Sequence, residues 1–495
     1  MTKPGQAFYL TRDIRLVEQK AVGSMGLAEE ELMMRAGTAA FNTLKAKYPQ
    51  VKTIAVFCGG GNNAGDGYVL AQLACEHGLS VVVYQYKAVD DLPPAACHAA
   101  LRAIAAGVPC QCLDDVIDTD VELVVDALVG IGLQAQVRDP IAHAINLIND
   151  SGLPVFALDV PSGLDADTGR ILGVCINAAV TATFIAPKIG MYTLDGPDQC
   201  GEIVCHDLQL GTVIAAFPPA AYQLDQKLLH AFILPRKKNV HKGMHGHVLI
   251  IGGGLGMPGA VCLAALAALR VGAGMVSIAT RPEHAAQVVP LVPEAMIYSI
   301  VTVNDLLPLL AKATICVIGP GLGEDKWAQA LFDAAIAAQL PLVIDASALR
   351  MIAKNPQHDD NWVLTPHPGE AADLLACSSH DIQANRLRAA KRMQQQYGGT
   401  VVLKGVGTVI NTGEGHAYIC TAGNPGMASA GMGDVLSGVI GGLLAQGVPL
   451  AAAAQLGVWL HARAGDDAVA VRGTRGLLAR DLMPYLRNQI NAVAS

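Results

Sequence analysis

The feature that most constrains this chain is a unit that recurs along it: a short apolar run, then a loop rich in glycine and aspartate, then a helical stretch. In the first part the apolar runs are 53–58, 80–84, 122–126, 155–159 and 181–185, with helical periodicity over 11–20, 29–47 and 141–149. In the second part they are 247–251, 275–279, 314–318, 341–345, 362–365 and 400–404, with an alanine-rich helix over 260–271. Strands that alternate with helices pair in parallel through right-handed crossovers, so each part is expected to be a doubly wound α/β sheet. The pattern lapses after Leu210, and Phe217-Pro218-Pro219-Ala220 reads as a stiff connector. Two domains follow, 1–220 and 221–495, of one fold class but with no visible repeat.

Composition excludes several classes. Hydrophobic residues make up 52% and charged residues 15%, which a disordered chain would not carry. The net charge of −8 offers no general basic footprint for nucleic acid. Twelve cysteines without a C-x-x-C pair suit a reduced, cytoplasmic chain, and Arg12, Asp13, Arg15 and Glu18 break any apolar leader. Residues 435–460 carry no charge and are long enough to span a bilayer. Gly441-Gly442, Gln446, Gly447-Val448-Pro449 and Gln455 interrupt them, and no basic cluster or aromatic belt flanks them. They are expected to be two buried helices joined at 447–449, with no membrane partner.

Four loops of the first part leave strand ends, where open parallel sheets bind ligands. The first, 59–67, sets Asn62, Asn63 and Asp66 among five glycines. Glycines let a ligand approach the backbone, and the amides at the following helix start favour an anion. No lysine stands where a Walker loop needs one. The others are 126–132, 159–169 and 187–190; Asp126 and Asp159 each end an apolar run and must be either capped by amides or used. Asn63, Asp126 and Ser162 could supply oxygens to a hard cation.

Together, 62–67, 126–132, 160–169 and 187–190 resemble the NAD(P)H-hydrate epimerase domain over roughly residues 10–212. The resemblance implies a Rossmann-like fold and a potassium ion on Asn63, Asp126 and Ser162. It places the hydrated nucleotide on Asn62, Asn63, Ala64, Gly65 and Asp66, on Gly130, Ile131, Gly132, Leu133, Gln134, Ala135 and Gln136, and on Asp159. Ala64 stands where the family is expected to have glycine. For acid–base work Asp159 is the first candidate, with Lys188 as helper.

In the second part, Gly254-Leu255-Gly256-Met257-Pro258-Gly259 fits G-x-G-x-x-G. A dinucleotide fingerprint also needs an acid at the next strand's end, but that strand ends in Thr280-Arg281. His241, His245 and His247 have a spacing that could suit a metal, and Lys242 beside Gly243 reads as an anion contact. Lys404-Gly405-Val406-Gly407-Thr408 is either a phosphate contact or a plain hairpin turn. His367 sits between two prolines with Glu370 close by. The strongest motif is 423–434, glycine-rich and ending in Asp434 before an apolar helix. Free amides there form an anion hole, and Asp434 can accept a proton from an attacking hydroxyl; the plainer alternative is a helix N-cap.

This assembly resembles the ADP-dependent NAD(P)H-hydrate dehydratases, a branch of the ribokinase-like fold, over roughly residues 238–487. The fusion resembles the bifunctional repair enzymes. By resemblance, ADP falls on Lys404, Gly405, Val406, Gly407, Thr408 and Gly433. The hydrate falls on Ala260, Gly321 or Gly323, His367 and Asp434. Asp-Ala-Asp is expected near 345, but the chain has Asp345-Ala346-Ser347, which bears on any role of magnesium. The implied activity epimerises hydrated NAD(P)H and then dehydrates one isomer, with ADP giving AMP and phosphate and Asp434 as proton acceptor. A homo-oligomer is expected. Two other readings stay open from sequence: an ATP-dependent kinase of a small alcohol, and a non-catalytic nucleotide-sensing scaffold.

Overall fold

The computed structural model describes residues 5–113, 117–226, 231–233 and 235–494. Two compact units are present, Ala7–Ala221 and a second unit that runs from Tyr222 onward.

The first unit opens with helices α1 (Thr11–Met25) and α2 (Glu29–Lys47). Helix α2 buries Met33, Ala36, Ala40, Phe41 and Leu44, one helical stripe. Glu29, Glu30 and Glu31 in its first turn and Lys45 and Lys47 in its last suit the helix dipole. Then follow β1 (Thr53–Cys58), α3 (Asn62–Glu76), β2 (Ser80–Gln85), α4 (Pro94–Ala105), β3 (Cys110–Cys112), β4 (Leu123–Ala127), α5 (Ile141–Asp150), β5 (Val155–Leu158), β6 (Val180–Phe184) and β7 (Glu202–His206). The sheet is parallel in the order β3-β2-β1-β4-β5-β6-β7, so its order reverses beside β1. Ile54, Val56 and Cys58 of β1 face one apolar layer and Ala55 and Phe57 the other, which makes the sheet doubly wound. The short β3 and the half-exposed β7 were not among the expected strands, because edge strands lack a continuous apolar run.

The second unit contains β8 (His247–Ile251), α6 (Pro258–Arg270), β9 (Met275–Thr280), β10 (Met296–Ser299), β11 (Ile315–Ile318), β12 (Leu342–Ile344), α7 (Ser347–Lys354), β13 (Trp362–Leu364), α8 (Pro368–Leu375), α9 (Arg386–Tyr397), β14 (Thr400–Leu403), β15 (Thr408–Asn411), β16 (Ala417–Cys420), α10 (Met432–Ala445) and α11 (Leu450–Arg472). These strands run in the order β16-β15-β14-β13-β12-β11-β8-β9-β10. From β10 to β14 neighbours are parallel, whereas β14, β15 and β16 pair antiparallel. That departs from the expected wholly parallel sheet: the four residues between β14 and β15 are too few for a crossover.

The uncharged stretch 435–460 is core, as expected. Helix α10 presents glycines to its neighbours. A Cβ on Gly438 would lie 2.1 Å from the Ala264 carbonyl oxygen of α6, and one on Gly441 2.5 Å from Val317 of β11. Helix α11 follows after Gly447 and buries Trp459 and Leu460. No helix among the described residues is long and apolar enough to cross a membrane.

Candidate functional sites

In the first unit the strand ends open on a cavity of about 930 Å³. Its lining includes Asn62, Asn63, Asp66, Gly130, Ile131, Gly132 and Asp159. Helix α3 begins at Asn62, so 62–67 form its opening turns rather than a loop. This corrects the expected ligand surface. Ala64 and Gly65 are buried, and a Cβ on Gly65 would strike Met33, so they pack helix on helix. Leu133, Gln134, Ala135 and Gln136 also lie outside the lining.

Asp159 follows β5 directly, with a left-handed φ of 63°. Aspartate tolerates that region better than most residues, and here it aims the carboxylate back over the sheet. One oxygen accepts from the wholly buried Lys188 ammonium, which also donates to Thr183 and to the Phe184 carbonyl. The other accepts from the Ile131 amide at 3.2 Å. Asp126 is buried and capped: Ser162 N, Ser162 Oγ and the Leu128 amide donate to it. Burial pushes its pKa up to about 6 against those bonds. Ser162 Oγ accepts from the Val129 amide at 2.8 Å. The next residue, Gly130, adjoins Asn63, whose buried carboxamide makes no hydrogen bond. Asn63 and Ser162 thus meet on adjacent residues of one loop.

Two further acids enter this cavity. Burial drives Asp66 well above the usual carboxylate range, and Asp159 and Glu18 add to it. Glu18 of α1 was not among the sequence candidates. Burial raises it to about 7, and Asp159 adds to the rise. Its only sequence signal is an acid within the inward stripe of Ile14, Val17 and Ala21.

In the second unit, Asp345 stands at the end of β12 and is 2% exposed. Its Oδ1 accepts from Lys404 Nζ at 2.9 Å and its Oδ2 from Ser437 Oγ at 2.7 Å. Burial opposes its charge, but Lys404 and Ser437 hold its pKa below the ordinary value. Burial likewise opposes the charge of Lys404, yet Asp345, Glu370 and Asp434 keep its pKa above the usual one. Gly431 is the N-cap of α10, so Asp434 is the third residue of that helix and not its cap. Burial, reinforced by Asp345, raises Asp434 to about 7. A Cβ on Gly433 would lie 3.4 Å from Lys404 Nζ, which sets the helix start over the ion pair.

The segment 404–407 is the turn of the β14–β15 hairpin. Its carbonyls are held from below by Arg386 of α9, 4% exposed, which donates to Leu403, Lys404 and Val406. Sequence gave no hint of this, since Arg386 reads as an ordinary helix charge. Thr408 Oγ1 donates to the Gly405 carbonyl at 2.9 Å. His367 caps α8, its Nδ1 accepting from the Gly369 and Glu370 amides. Buried Glu370 then reaches Lys404 at 3.7 Å. Gly321 and Ala260 adjoin, 3.0 Å from a Cβ on the glycine to the alanine's, while Gly323 faces open space. His247 lies inside β8 with Nε2 2.7 Å from Ser277 Oγ, so the histidine trio does not converge. Among the described residues no group of three or more His, Cys, Asp or Glu could hold a metal ion.

Comparison with known proteins gives both halves counterparts. Residues 248–488 match the NAD(P)H-hydrate dehydratase family. Residues 29–190 match the family described as YjeF-related protein N-terminus. A bifunctional NAD(P)H-hydrate repair enzyme of Coxiella burnetii is 47% identical over 488 residues, covering 98% of this chain and 99% of that one. The crystal structure of an ADP/ATP-dependent NAD(P)H-hydrate dehydratase from Bacillus subtilis, obtained with ATP and Mg²⁺, is 30% identical with a TM-score of 0.50, covering 55% of this chain and 98% of that one. A ribokinase-like superfamily protein of Enterococcus faecalis is 30% identical with a TM-score of 0.51, covering 55% and 96%.

Proposed function

The chain belongs to the bifunctional NAD(P)H-hydrate repair enzymes, and from that premise we propose how its residues divide the work. The enzyme epimerises the R and S forms of hydrated NAD(P)H and dehydrates the S form, with ADP giving AMP and phosphate. Membership removes the sensing scaffold and the simple kinase as readings.

In the dehydratase unit, hydroxide is a poor leaving group, so the β-phosphoryl of ADP is first moved to the ring hydroxyl. Asp434 accepts the hydroxyl proton, and the amides at the start of α10 with Lys404 hold the phosphoryl oxygens. Phosphate then leaves as the ring nitrogen's lone pair forms a carbon–nitrogen double bond, and loss of a proton from the adjacent ring carbon returns that pair to nitrogen and leaves the carbon–carbon double bond of NAD(P)H. The observation that carries this reading is Asp434 in the first turn of α10, raised to about 7, beside the Lys404–Asp345 pair. A base poised near neutrality suits proton transfer. The hydrate would rest on Ala260, Gly321 or Gly323 and His367, and the nucleotide on 404–408 and Gly433. Magnesium does not fit a protein-held site here. One oxygen of Asp345 is taken by an ammonium and the other by Ser437, and position 347 is serine. The ion would come on the nucleotide phosphates.

In the epimerase unit, Asp159 and Lys188 serve acid–base exchange on the hydrate. Potassium fits Asn63, Asp126 and Ser162, because the Asn63 carboxamide is buried without a partner and the donors are neutral or carboxylate oxygens. It would supply a fixed positive charge at the substrate's oxygens. Cytoplasmic residence is supported by twelve free cysteines.

The test is to incubate the full chain with mixed R and S hydrate, ADP, magnesium and potassium. Both isomers should disappear as NAD(P)H absorbance and AMP appear together. Loss of the S form alone would make the first unit inert, and accumulation of a stable phosphorylated hydrate would sink the dehydratase step.

A further inference from the structure

We infer that Glu18 is a second acid–base residue of the epimerase site, sharing with Asp159 the cavity that receives the hydrated ring. The inference rests on the epimerase reading above and adds to it the partner that the stereochemistry demands. Inversion at the hydroxyl-bearing carbon is achieved when water leaves from one face and adds to the other. A proton must therefore be given at one position and taken at another.

The structure places Glu18 for this task by a chain of hydrogen bonds. Helix α1 is pinned at its start, where Asp167 accepts from the Thr11 amide at 2.6 Å and from Thr11 Oγ1 at 2.9 Å. One turn on, Arg15 donates to the Ile131 carbonyl at 3.0 Å. The amide of the same Ile131 donates to Asp159 at 3.2 Å. Residues three apart share a helix face, so the contact that seats Arg15 on the Asp159 loop brings Glu18 over the same cavity. Ile14 and Val17, at 1% and 0% exposure, fix the rotation of the helix. Glu18, Asp66, Asn62, Asn63, Gly130 and Asp159 all line the one cavity.

The charged groups around Glu18 are Asp159 of the β5 loop, Lys188 after β6, Arg15 on its own helix and Glu29 of α2. Asp66 of α3 is raised partly by Glu18 itself. Lys188 is held by Asp159, Thr183 and Phe184, so Asp159 is the ion-paired carboxylate, whereas Glu18 feels Lys188 and Arg15 without making a salt bridge among the described residues. Two carboxyls in one site with different surroundings divide into acid and base.

In one direction the Glu18 carboxyl gives its proton to the ring hydroxyl. The carbon–oxygen bond breaks with its electron pair on oxygen, water leaves, and the ring nitrogen's lone pair forms a carbon–nitrogen double bond. A water molecule adds to the other face; the electron pair of the double bond returns to nitrogen, and Asp159 takes the proton. Water is released and consumed once, and both carboxyls reset through solvent. The opposite epimerisation runs the same steps with the roles exchanged.

The experiment follows R-to-S conversion without ADP in the full chain, using Glu18→Gln and Glu18→Asp, with S-hydrate dehydration plus ADP as the control. Glu18→Gln is expected to slow conversion at least 100-fold while still binding the R isomer by calorimetry and dehydrating the S isomer at the wild-type rate. Glu18→Asp should recover part of the rate. Conversion by the wild type should fall as pH rises through about 7, and Glu18→Gln should lose that limb. Conversion by Glu18→Gln at the wild-type rate would overturn the inference and leave the epimerase reading standing. Slow conversion with lost binding would also overturn it, by assigning Glu18 to structure. A wild type that does not interconvert the isomers would overturn both.

Discussion

Lys404 Nζ lies 2.9 Å from Asp345 Oδ1, and this ion pair joins the end of one central strand to the turn of a hairpin two strands away. Asp345 is 2% exposed, so removing the lysine alone leaves a buried carboxylate without its cation, facing the Ser437 and Thr365 hydroxyls. Lys404→Met is expected to cost about 3–5 kcal/mol of stability at neutral pH. The double variant Asp345→Asn with Lys404→Met should cost less than the single. The sign with pH follows from the lowered pKa of Asp345. Its stabilisation is present above the unfolded value near 4 and is lost as pH falls through the folded value. Urea melts at pH 7 and pH 3 should therefore find the penalty of Lys404→Met shrinking in acid; an equal penalty at both would refute the pairing.

Asp434→Asn should abolish dehydration, by about 10³-fold or more, while ADP still binds. In the wild type the rate should rise with pH through about 7, as the carboxyl loses its proton and becomes a base. The same substitution should stabilise the fold above neutrality. A carboxyl raised from near 4 to about 7 costs stability progressively as pH climbs between those values, and asparagine removes that cost. Melting temperatures at pH 5 and pH 8 check this: the variant's advantage should be larger at pH 8.

Gly130 separates Asn63 from Asp159. A Cβ there would come within 2.9 Å of Asp159 Oδ2 and 3.3 Å of Asn63 Cγ. Gly130→Ala should cut R-to-S conversion by about 100-fold or more, since an ångström-scale displacement of reacting groups costs that much. Dehydration of the S form should be unchanged, and stopped assays with each isomer separate the two effects.

Exchange of potassium for lithium probes the Asn63, Asp126 and Ser162 cluster. R-to-S conversion should fall and recover on adding potassium back, with no change in S dehydration when magnesium and ADP are kept constant. Asn63→Ala should remove the potassium dependence along with most of the rate. Conversion indifferent to the cation would remove potassium from the site.

Arg386 donates from a buried position to the last carbonyl of β14, at Leu403, and to two carbonyls of the hairpin turn, at Lys404 and Val406. Hydrogen bonds from a buried charge are worth about 1.5–3 kcal/mol each, so Arg386→Met should destabilise the dehydratase unit and slacken the turn. The KM for ADP should rise about tenfold, with R-to-S conversion unaffected. A variant whose KM is unmoved would show that the turn does not meet the nucleotide.

The sequence by itself determined the fold class, both parallel cores and the loops at their strand ends. Those features follow from periodicity, and periodicity is a local property. It also determined that residues 435–460 are core helices and that Asp434 stands at a helix start. Only the tertiary structure decided which groups meet. Arg15 reaches Ile131 across 116 residues, Lys404 reaches Asp345 across 59 and Ser437 reaches Asp345 across 92. Such pairings depend on strand order and crossover, which no window of sequence contains. For the same reason Glu18 and Arg386 read as ordinary helix charges until the fold set Glu18, partly buried, in the cavity and buried Arg386. Ala64 and Gly65 read as ligand contacts until the start of α3 turned them into the core. Burial sets the pKa values and leaves carboxyls unmatched, and burial is a property of the assembled chain.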